Sequence, residues 1–430
     1  MLPLILENSL QLMTNLIAAA MVGRLDAFDV SAQGMATKVT DVVYYIFRGT
    51  GTALVVLTAK YFAQNKIEEC RYIFKKTSVS AAAIGLIAAV VLLVAPKSFL
   101  HFFTDDVDLV VWAARYLRII VLCLPFWAVM LVVSAVYQGV GNTRTPMILA
   151  LIINLINVTL CWLFIFGNLG FPEMGFLGAA MSLVISRVVG CFAGLGLIFH
   201  EKTGVFKKKN KARAVDGVLR ELYSIALPAA GEPILWQISS ILLSRTILVY
   251  GADAFAAYQL GVQAEYITEI PAIGFSVAAT SLISKAVGLG DHELFTWYRR
   301  EMARICIGIS AVTTALLMLF PRGFMSLLTN HEELILIGGT YVFVMGTIQI
   351  PQNLIKVYSG ILRSTGYKNT PMLIEATGTW GLRIPTALLS AYVFQAQLYV
   401  LWLCITADQL FKFVLSYLVL KYKVRSFKTI

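Results

Sequence analysis

The chain has 430 residues, of which 58% are hydrophobic and only 14% are charged. Soluble domains carry charge on about a quarter of their residues, so this composition excludes an ordinary soluble protein and predicts a polytopic membrane protein. The formal net charge of +11 does not predict a nucleic-acid partner, because the basic residues are concentrated in loops between apolar runs. The expected partner of the protein surface is the lipid bilayer.

Twelve apolar runs are long enough to cross a bilayer of about 30 Å as helices. The first run lacks a basic leader and eleven similar runs follow it, so we interpret it as a membrane span and not as a cleavable signal peptide. In chain order the predicted spans lie near residues 2–23, 31–62, 77–96, 109–138, 145–167, 176–200, 222–250, 256–285, 304–321, 333–361, 371–394 and 397–420.

Basic residues mark one side of the membrane. The most basic segment is the loop 201–213, and alternation of the spans places four further basic segments on the same side: 65–76, 297–304, 363–369 and 421–428. The acidic loops 103–108 and 330–333 fall on the opposite side. Lys and Arg are enriched on the cytoplasmic side of membrane proteins. We therefore expect both termini in the cytoplasm, in a multi-pass protein of the inner (plasma) membrane.

The two halves of the chain resemble each other. "GNTRTPM" at 141–147 is followed 225 residues later by "GYKNTPM" at 366–372, and "LPLILEN" at 2–8 matches "LPAAGEP" at 227–233 with the same offset. Matches such as Gly34 with Gly261 shift the offset by two residues, as small insertions in a genuine repeat would. An even number of spans per half gives both halves the same orientation. We therefore predict two six-helix lobes, 1–200 and 222–430, related by a pseudo-two-fold axis along the membrane normal and joined by a basic cytoplasmic linker, 201–221.

Local signals predict helix starts, close packing and bends. Thr145 and Thr370 precede prolines at the start of spans five and eleven and are expected to be N-caps. The run "GTGTAL" at 49–54 is expected to allow close helix packing. Bends are predicted at the prolines inside spans, which are Pro125, Pro271, Pro351 and Pro385.

Sequence motifs favour transport over enzymatic chemistry. No Gly-x4-Gly-Lys-Ser/Thr phosphate loop occurs, no Cys/His spacing suggests a metal site, and no His/Asp/Glu cluster lies at one membrane interface. We therefore predict no enzyme and no cofactor beyond a coupling ion, and we leave a bound metal open. A two-lobed chain of twelve spans is most simply a secondary transporter, and a scaffold for other membrane proteins is a distant alternative.

Residues 167–187, "GNLGFPEMGFLGAAMSLVISR", together with "INLINV" at 153–158, resemble the multidrug and toxin extrusion (MATE) transporters of prokaryotes. Residues 227–261 resemble the start of that family's second lobe, so the resemblance covers nearly the whole chain. It implies two six-helix lobes around a central cavity and export of organic compounds in exchange for Na+ or H+. The resemblance also shows two departures: Ala18 and Cys161 stand where many prokaryotic members have an Asp in the N-lobe. Coupling is therefore expected elsewhere.

Acidic residues inside the spans are the main site candidates, because charge at bilayer depth is costly. Glu232 lies near the middle of span seven, and Glu7 is its repeat mate. Glu265 and Glu269 stand four residues apart in span eight, so both carboxylates face one side of the helix. Two close carboxylates cannot both ionise cheaply in low dielectric, so one is expected to hold a proton near neutral pH. Their oxygens also suit a hard cation such as Na+.

Other polar residues in the spans are weaker candidates. Asp41 and Arg48 lie two turns apart on span two, so each is expected to have a partner on another helix. Asn157 and Gln237 are expected to support the binding cavity as uncharged polar groups. Aromatic residues such as Tyr44 could hold aromatic or cationic compounds by stacking and cation–π contacts.

Spans ten to twelve carry further charges. Lys356 and Arg383 are expected to support the site, and Arg383 is a candidate partner for an embedded Glu. Glu375 lies about a turn inside span eleven and is expected to reach towards the membrane surface. Asp408 and Lys412 stand four residues apart and are expected to pair with each other.

These features together predict an antiporter that couples H+ or Na+ to the export of small organic compounds by alternating access. Acidic residues in the spans are at least as numerous as basic ones, which favours cationic or amphipathic substrates. The alternative is a flippase of lipids or lipid-linked saccharides from the same superfamily. We expect the protein to act as a monomer.

Overall fold

The computed structural model describes residues 27–101, 107–200, 217–329 and 331–423, together with seven residues near the N-terminus, namely Pro3, Leu6, Glu7, Leu10, Thr14, Ile17 and Met21. The regular elements in these ranges are all helices. Most of the predicted span 2–23 and of the predicted linker 201–221 lies outside the described residues. The chain divides into two compact units, Met1–Ala230 and Gly231–Ile430.

The described part of the first unit is built from long apolar helices that pack in neighbouring pairs. These helices are α1 (Ala27–Ala63), α2 (Ile67–Val94), α3 (Val107–Gly139), α4 (Arg144–Phe166) and α5 (Phe176–His200). A 3-10 turn, Val121–Cys123, interrupts α3 just before Pro125. Regular α-helical geometry is therefore interrupted next to the proline at which a bend is predicted, in agreement with the inability of proline to donate the backbone hydrogen bond of a regular helix.

Glycine allows α1 to approach its neighbours closely, as "GTGTAL" predicts. A Cβ atom on Gly49 would lie 2.5 Å from the carbonyl oxygen of Ala226 and 2.8 Å from the Cβ of Ala230. On the other neighbour, a Cβ on Gly139 of α3 would lie 2.8 Å from the Cβ of Thr58. Small residues let helices pack backbone against backbone in a membrane, where hydrophobic surface alone does not bring them together.

The second unit begins inside α6 (Val218–Leu248), whose first residues belong to the first unit. It continues with α7 (Ala252–Leu289), α8 (His292–Leu319), α9 (Glu332–Thr347) and α10 (Gln349–Ser364). The last two helices fall within the single predicted span 333–361, but they meet at an angle of 55°. The bend follows from Pro351, whose ring clashes with the carbonyl four residues earlier, at Thr347. α7 packs against both arms of this bend.

The predicted span 371–394 is an interrupted helix. It consists of α11 (Thr370–Gly378), a π-helical segment (Thr379–Arg383), α12 (Ile384–Leu388) and a second π-helical segment (Leu389–Val393). The first π-helical segment ends just before Pro385, in agreement with the predicted irregularity there. The last helix is α13 (Leu398–Lys423). Pro271, in contrast, lies inside α7, which remains one helix.

The predicted N-caps are wrong. α4 begins at Arg144, before Thr145, and the side chain of Asn142 accepts a hydrogen bond from the Thr145 backbone N–H at 3.2 Å. α11 begins at Thr370 itself, with no side-chain cap. Both helices start ahead of their proline because proline is tolerated throughout the first turn, where its missing N–H has no helical partner.

Helix length and apolarity agree with a multi-pass membrane protein. In the described ranges nine helices are long and apolar enough to cross a membrane, and the bent pair α9–α10 makes a tenth span. The interrupted helix of 370–393 occupies the predicted eleventh span in the chain. The predicted first span is the one that lies largely outside the described residues.

Candidate functional site

Two carboxylates one turn apart on α7 form the centre of a buried polar cluster. Glu265 is 8% exposed and accepts hydrogen bonds from the Tyr341 hydroxyl at 2.7 Å and the Gln352 amide at 2.8 Å. Tyr341 belongs to α9 and Gln352 to α10, so the two donors come from opposite sides of the bend. The bend at Ile348 therefore directs two neutral donors to one carboxylate.

The second carboxylate of this cluster is compensated by a cation. Glu269 lies 2.9 Å from the Lys356 ammonium and also accepts a hydrogen bond from Gln352. The structure thus brings Glu265, Glu269 and Lys356 together, as candidate residues of one site. The cluster holds two carboxylates and one ammonium, and Glu265 contacts only neutral donors among the described residues. The carboxylates of this arrangement can bind a proton, and carboxylate and amide oxygens are suitable ligands for a hard cation.

Aromatic packing fixes the tyrosine that faces Glu265. The Tyr341 ring meets Tyr258 edge to face, with centroids 5.4 Å apart, and meets Trp402 in the same way at 5.0 Å. Gly261 of α7 leaves room for the ring, because a Cβ there would lie 2.5 Å from Cδ1 of Tyr341. The hydroxyl position is therefore set by packing, which pre-organises the donor.

Glu232, a predicted site residue, lies in an ion pair with Arg363 of α10. Its repeat mate Glu7 makes the equivalent contact in the first unit, where both its oxygens accept from the Gln138 amide at 3.3 and 3.5 Å. Each contact joins residues 131 positions apart. Gln138 and Arg363 are themselves 225 positions apart, so the repeat reproduces the contact but exchanges a neutral partner for a cation.

A separate ionic network lies between the π-helical segment and α13. Arg383 does not pair with an embedded Glu as predicted; its Nε donates to Asp408 at 2.8 Å. The predicted pair of Asp408 with Lys412 is confirmed at 3.0 Å. Glu375 does not reach towards the membrane surface but accepts from Lys412 at 2.8 Å. Asp408 and Lys412 are 0% and 1% exposed, so α13 presents these charges inwards, where each has an opposite charge.

The remaining predicted residues lie on α1, α4 and α6. Asn157 is buried and donates to Ser186 at 3.1 Å. Asp41 is half-buried and Arg48 is exposed on α1, and neither forms an ion pair with a residue on another described helix. Gln237 is half-buried on α6 and has no hydrogen-bond partner among the residues that the structure describes.

Tyr341, Gln352 and Arg363 contact the predicted carboxylates, and sequence reasoning missed all three. A glutamine inside the apolar run 333–361 predicts a site residue for the same reason as the embedded carboxylates, since a polar group is unusual in such a run. The offset of 225 residues, once established, also connects Gln138 with Arg363. No pattern in the sequence shows that Tyr341 and Gln352 reach one carboxylate, because that depends on the bend between them.

The family model MatE matches the chain twice, over residues 3–163 and 228–389. The matches begin 225 residues apart, which supports the repeat. The "Probable multidrug resistance protein NorM" of Thermotoga maritima is 27% identical over 424 residues, covering 97% of this chain and 90% of the relative. The "Uncharacterized transporter YisQ" of Bacillus subtilis is 22% identical over 418 residues, covering 96% and 91% of the two chains.

Solved structures share the fold. A MOP superfamily transporter from Pyrococcus furiosus superposes with a TM-score of 0.91 at 17% identity, covering 98% of this chain and 94% of the other. A mutant of the MATE transporter VcmN from Vibrio cholerae has the same score and identity and covers 98% and 95%. The predicted all-α fold of twelve membrane helices in two lobes is thereby confirmed. The chain therefore belongs to the MatE family of multi-pass membrane transporters.

Proposed function

We propose that the protein is an exporter of small organic compounds that couples transport to an H+ or Na+ gradient by alternating access. It lies in the plasma membrane, acts as a monomer and has both termini in the cytoplasm. Relatives such as the NorM protein of Thermotoga maritima are named for multidrug resistance, which supports organic compounds as the substrate class. The basic loops on one predicted side support the orientation.

The observation that carries this proposal is the environment of Glu265. The carboxylate is buried at 8% exposure and its described partners, Tyr341 and Gln352, are neutral. Among the described residues, the ammonium of this cluster belongs to Lys356, which contacts Glu269 instead. A buried carboxylate without a cation of its own is a costly arrangement, and binding of a proton, Na+ or an organic cation removes that cost.

Competition for this one carboxylate is sufficient for exchange. A coupling ion and an organic cation each neutralise Glu265, so the binding of one weakens the binding of the other. Transport then requires that the ion and the substrate favour different states of the protein, because a ligand shifts a conformational equilibrium only by its difference in affinity. Ala18 and Cys161 lack the carboxylates that many relatives have in the first unit, which supports placing the coupling step in the second.

The proposal is tested by dye export from proteoliposomes under separately imposed H+ and Na+ gradients. Glu265→Gln keeps the shape of the side chain and removes its charge, so we expect normal insertion and loss of gradient-driven export. Glu221→Gln is the matched control, because Glu221 forms only a half-exposed pair with Lys60 at 3.9 Å, and such pairs contribute little. Full gradient-driven export by Glu265→Gln would contradict the proposal.

A further inference from the structure

Arg187 is a charged residue near the middle of α5 that no predicted role covers. Its side chain is only 7% exposed, and the position lies about equally far from both ends of the helix. A guanidinium at this depth is costly unless it is paired, and such residues usually contribute to function. The sequence carries a signal for it, a single Arg within the apolar run 176–200.

The partner of Arg187 is aromatic instead of acidic. Its guanidinium carbon lies 4.7 Å from the centre of the Trp127 ring, and Trp127 stacks on Tyr44 with centroids 4.9 Å apart and planes at 18°. A cation–π contact compensates part of the cost of burying a guanidinium. The N–H groups lie in the plane of the guanidinium and have no hydrogen-bond acceptor among the described residues.

The other buried arginines of the described chain show the contrast. Arg363 pairs with Glu232, and Arg383 pairs with Asp408, whereas no described carboxylate lies within ion-pair distance of Arg187. The predicted span 2–23 does not supply one from its sequence, because its only acidic residue is Glu7, which contacts Gln138. Among the described residues, Arg187 is therefore a buried cation without a counter-ion of its own.

We propose that Arg187, with Trp127 and Tyr44, forms a binding site in the first unit for the anionic group, a carboxylate or phosphate, of an amphipathic organic substrate. The guanidinium offers parallel N–H donors that match the two oxygens of such a group. Trp127 is buried between its two neighbours, so the half-buried Tyr44 is the ring that suits an adjoining aromatic group. This inference rests on the proposed export of organic compounds. It extends the substrate class from cations to compounds that also carry a negative group.

The test uses dye binding to the purified protein in detergent, with no gradient, so it does not depend on coupling. The probes are a rhodamine with a free carboxylate and its ethyl ester, in which esterification removes the negative charge and adds only an ethyl group. We expect the wild type to bind the carboxylate dye about tenfold more tightly than the ester, the range of a charge-assisted hydrogen bond. Equal affinities of the wild type for the two dyes would overturn the inference.

Variants locate the preference on Arg187. Arg187→Gln should weaken binding of the carboxylate dye about tenfold and leave ester binding within about twofold, and Arg187→Lys should recover part of the loss. Arg115→Gln is the matched control, because Arg115 lies over Trp112 at 4.8 Å but is exposed. A similar loss of preference in the Arg115 variant, or none in the Arg187 variants, would contradict the assignment.

A second arm distinguishes the source of the anionic group. The same binding measurement is made in nanodiscs of phosphatidylcholine, with and without phosphatidylglycerol. If phosphatidylglycerol weakens dye binding to the wild type but not to Arg187→Gln, the site is assigned to a lipid phosphate. Unchanged binding assigns it to the carboxylate of a free substrate. Failure of gradient-driven export with this binding intact would contradict the proposed coupling and not this site.

Discussion

Glu7 and Glu232 occupy equivalent positions of the repeat and differ in one partner. Glu7 faces the neutral amide of Gln138, whereas Glu232 faces the guanidinium of Arg363. The same carboxylate position therefore contacts a neutral amide in one unit and forms an ion pair in the other. For this reason we assign Glu232 mainly to stability and Glu265 to coupling.

The ion pair between Glu232 and Arg363 is expected to contribute measurably to the free energy of unfolding. Arg363→Gln leaves a mostly buried carboxylate without its cation and is expected to lower the free energy of unfolding by roughly 3 kcal/mol. The double variant Arg363→Gln with Glu232→Gln should recover most of this loss, because no unpaired charge then remains. Thermal unfolding in detergent measures both effects.

The first unit offers the reciprocal control for this prediction. Gln138→Arg supplies Glu7 with the partner that Glu232 has, so a raised melting temperature is expected. If Arg363→Gln has no effect on stability while Gln138→Arg destabilises the protein, the equivalence of the two contacts is wrong.

At the scale of elements, irregular helices position the polar groups. The 55° bend between α9 and α10 directs Tyr341 and Gln352 to Glu265. The π-helical segment before Pro385 presents Thr379 and Arg383 to α13, where Lys412 donates to Thr379 at 2.7 Å. Such local departures from the regular helix occur frequently at functional sites.

Gly378 provides a test of how closely α11 and α13 pack. A Cβ there would lie 2.5 Å from both Oδ1 of Asp408 and Cε of Lys412, and both side chains are fully buried. Gly378→Ala is therefore expected to destabilise the protein by about 1–3 kcal/mol through overpacking, as measured by thermal unfolding.

Gly381 is the matched control, three residues further along the same interrupted helix. A Cβ at Gly381 would have no atom within 4 Å, so Gly381→Ala should be neutral or stabilise by up to about 1 kcal/mol. Equal effects of the two substitutions would show that the close contact at Gly378 does not contribute to stability.

At the scale of the whole molecule, the chain contains two matches to one family model, which begin at residues 3 and 228. Each half carries a series of apolar helices. The basic loops that connect helices lie on the predicted cytoplasmic side. The orientation is therefore a property of the complete chain, since it depends on the sum of basic residues over several loops.

Cysteine labelling tests this orientation. With the natural cysteines replaced, Lys208→Cys in the basic loop should react with a membrane-impermeant maleimide only in inside-out vesicles. Glu173→Cys, between α4 and α5, should react only in right-side-out vesicles. The reverse pattern would show that the termini lie outside the cytoplasm.

The amino-acid sequence alone determined the membrane class, the order of the described spans and the repeat, but α2 begins at Ile67 and α8 at His292, ten and twelve residues before the predicted spans 77–96 and 304–321. Apolar length is a local property, and two copies of one pattern remain recognisable at a fixed offset. It also identified Glu265, Glu269 and Lys356, because any charge in a long apolar run stands out against its neighbours.

Only the tertiary structure decided which of these charges compensate one another. Arg383 pairs with Asp408 instead of a glutamate, Glu232 is held by Arg363, and Arg187 has an aromatic partner in place of an acidic one. Partners lie on other helices, more than a hundred residues away in the case of Glu232. Their distances depend on the bends and close glycine contacts of the packed helices, which a one-dimensional pattern of apolar residues does not contain.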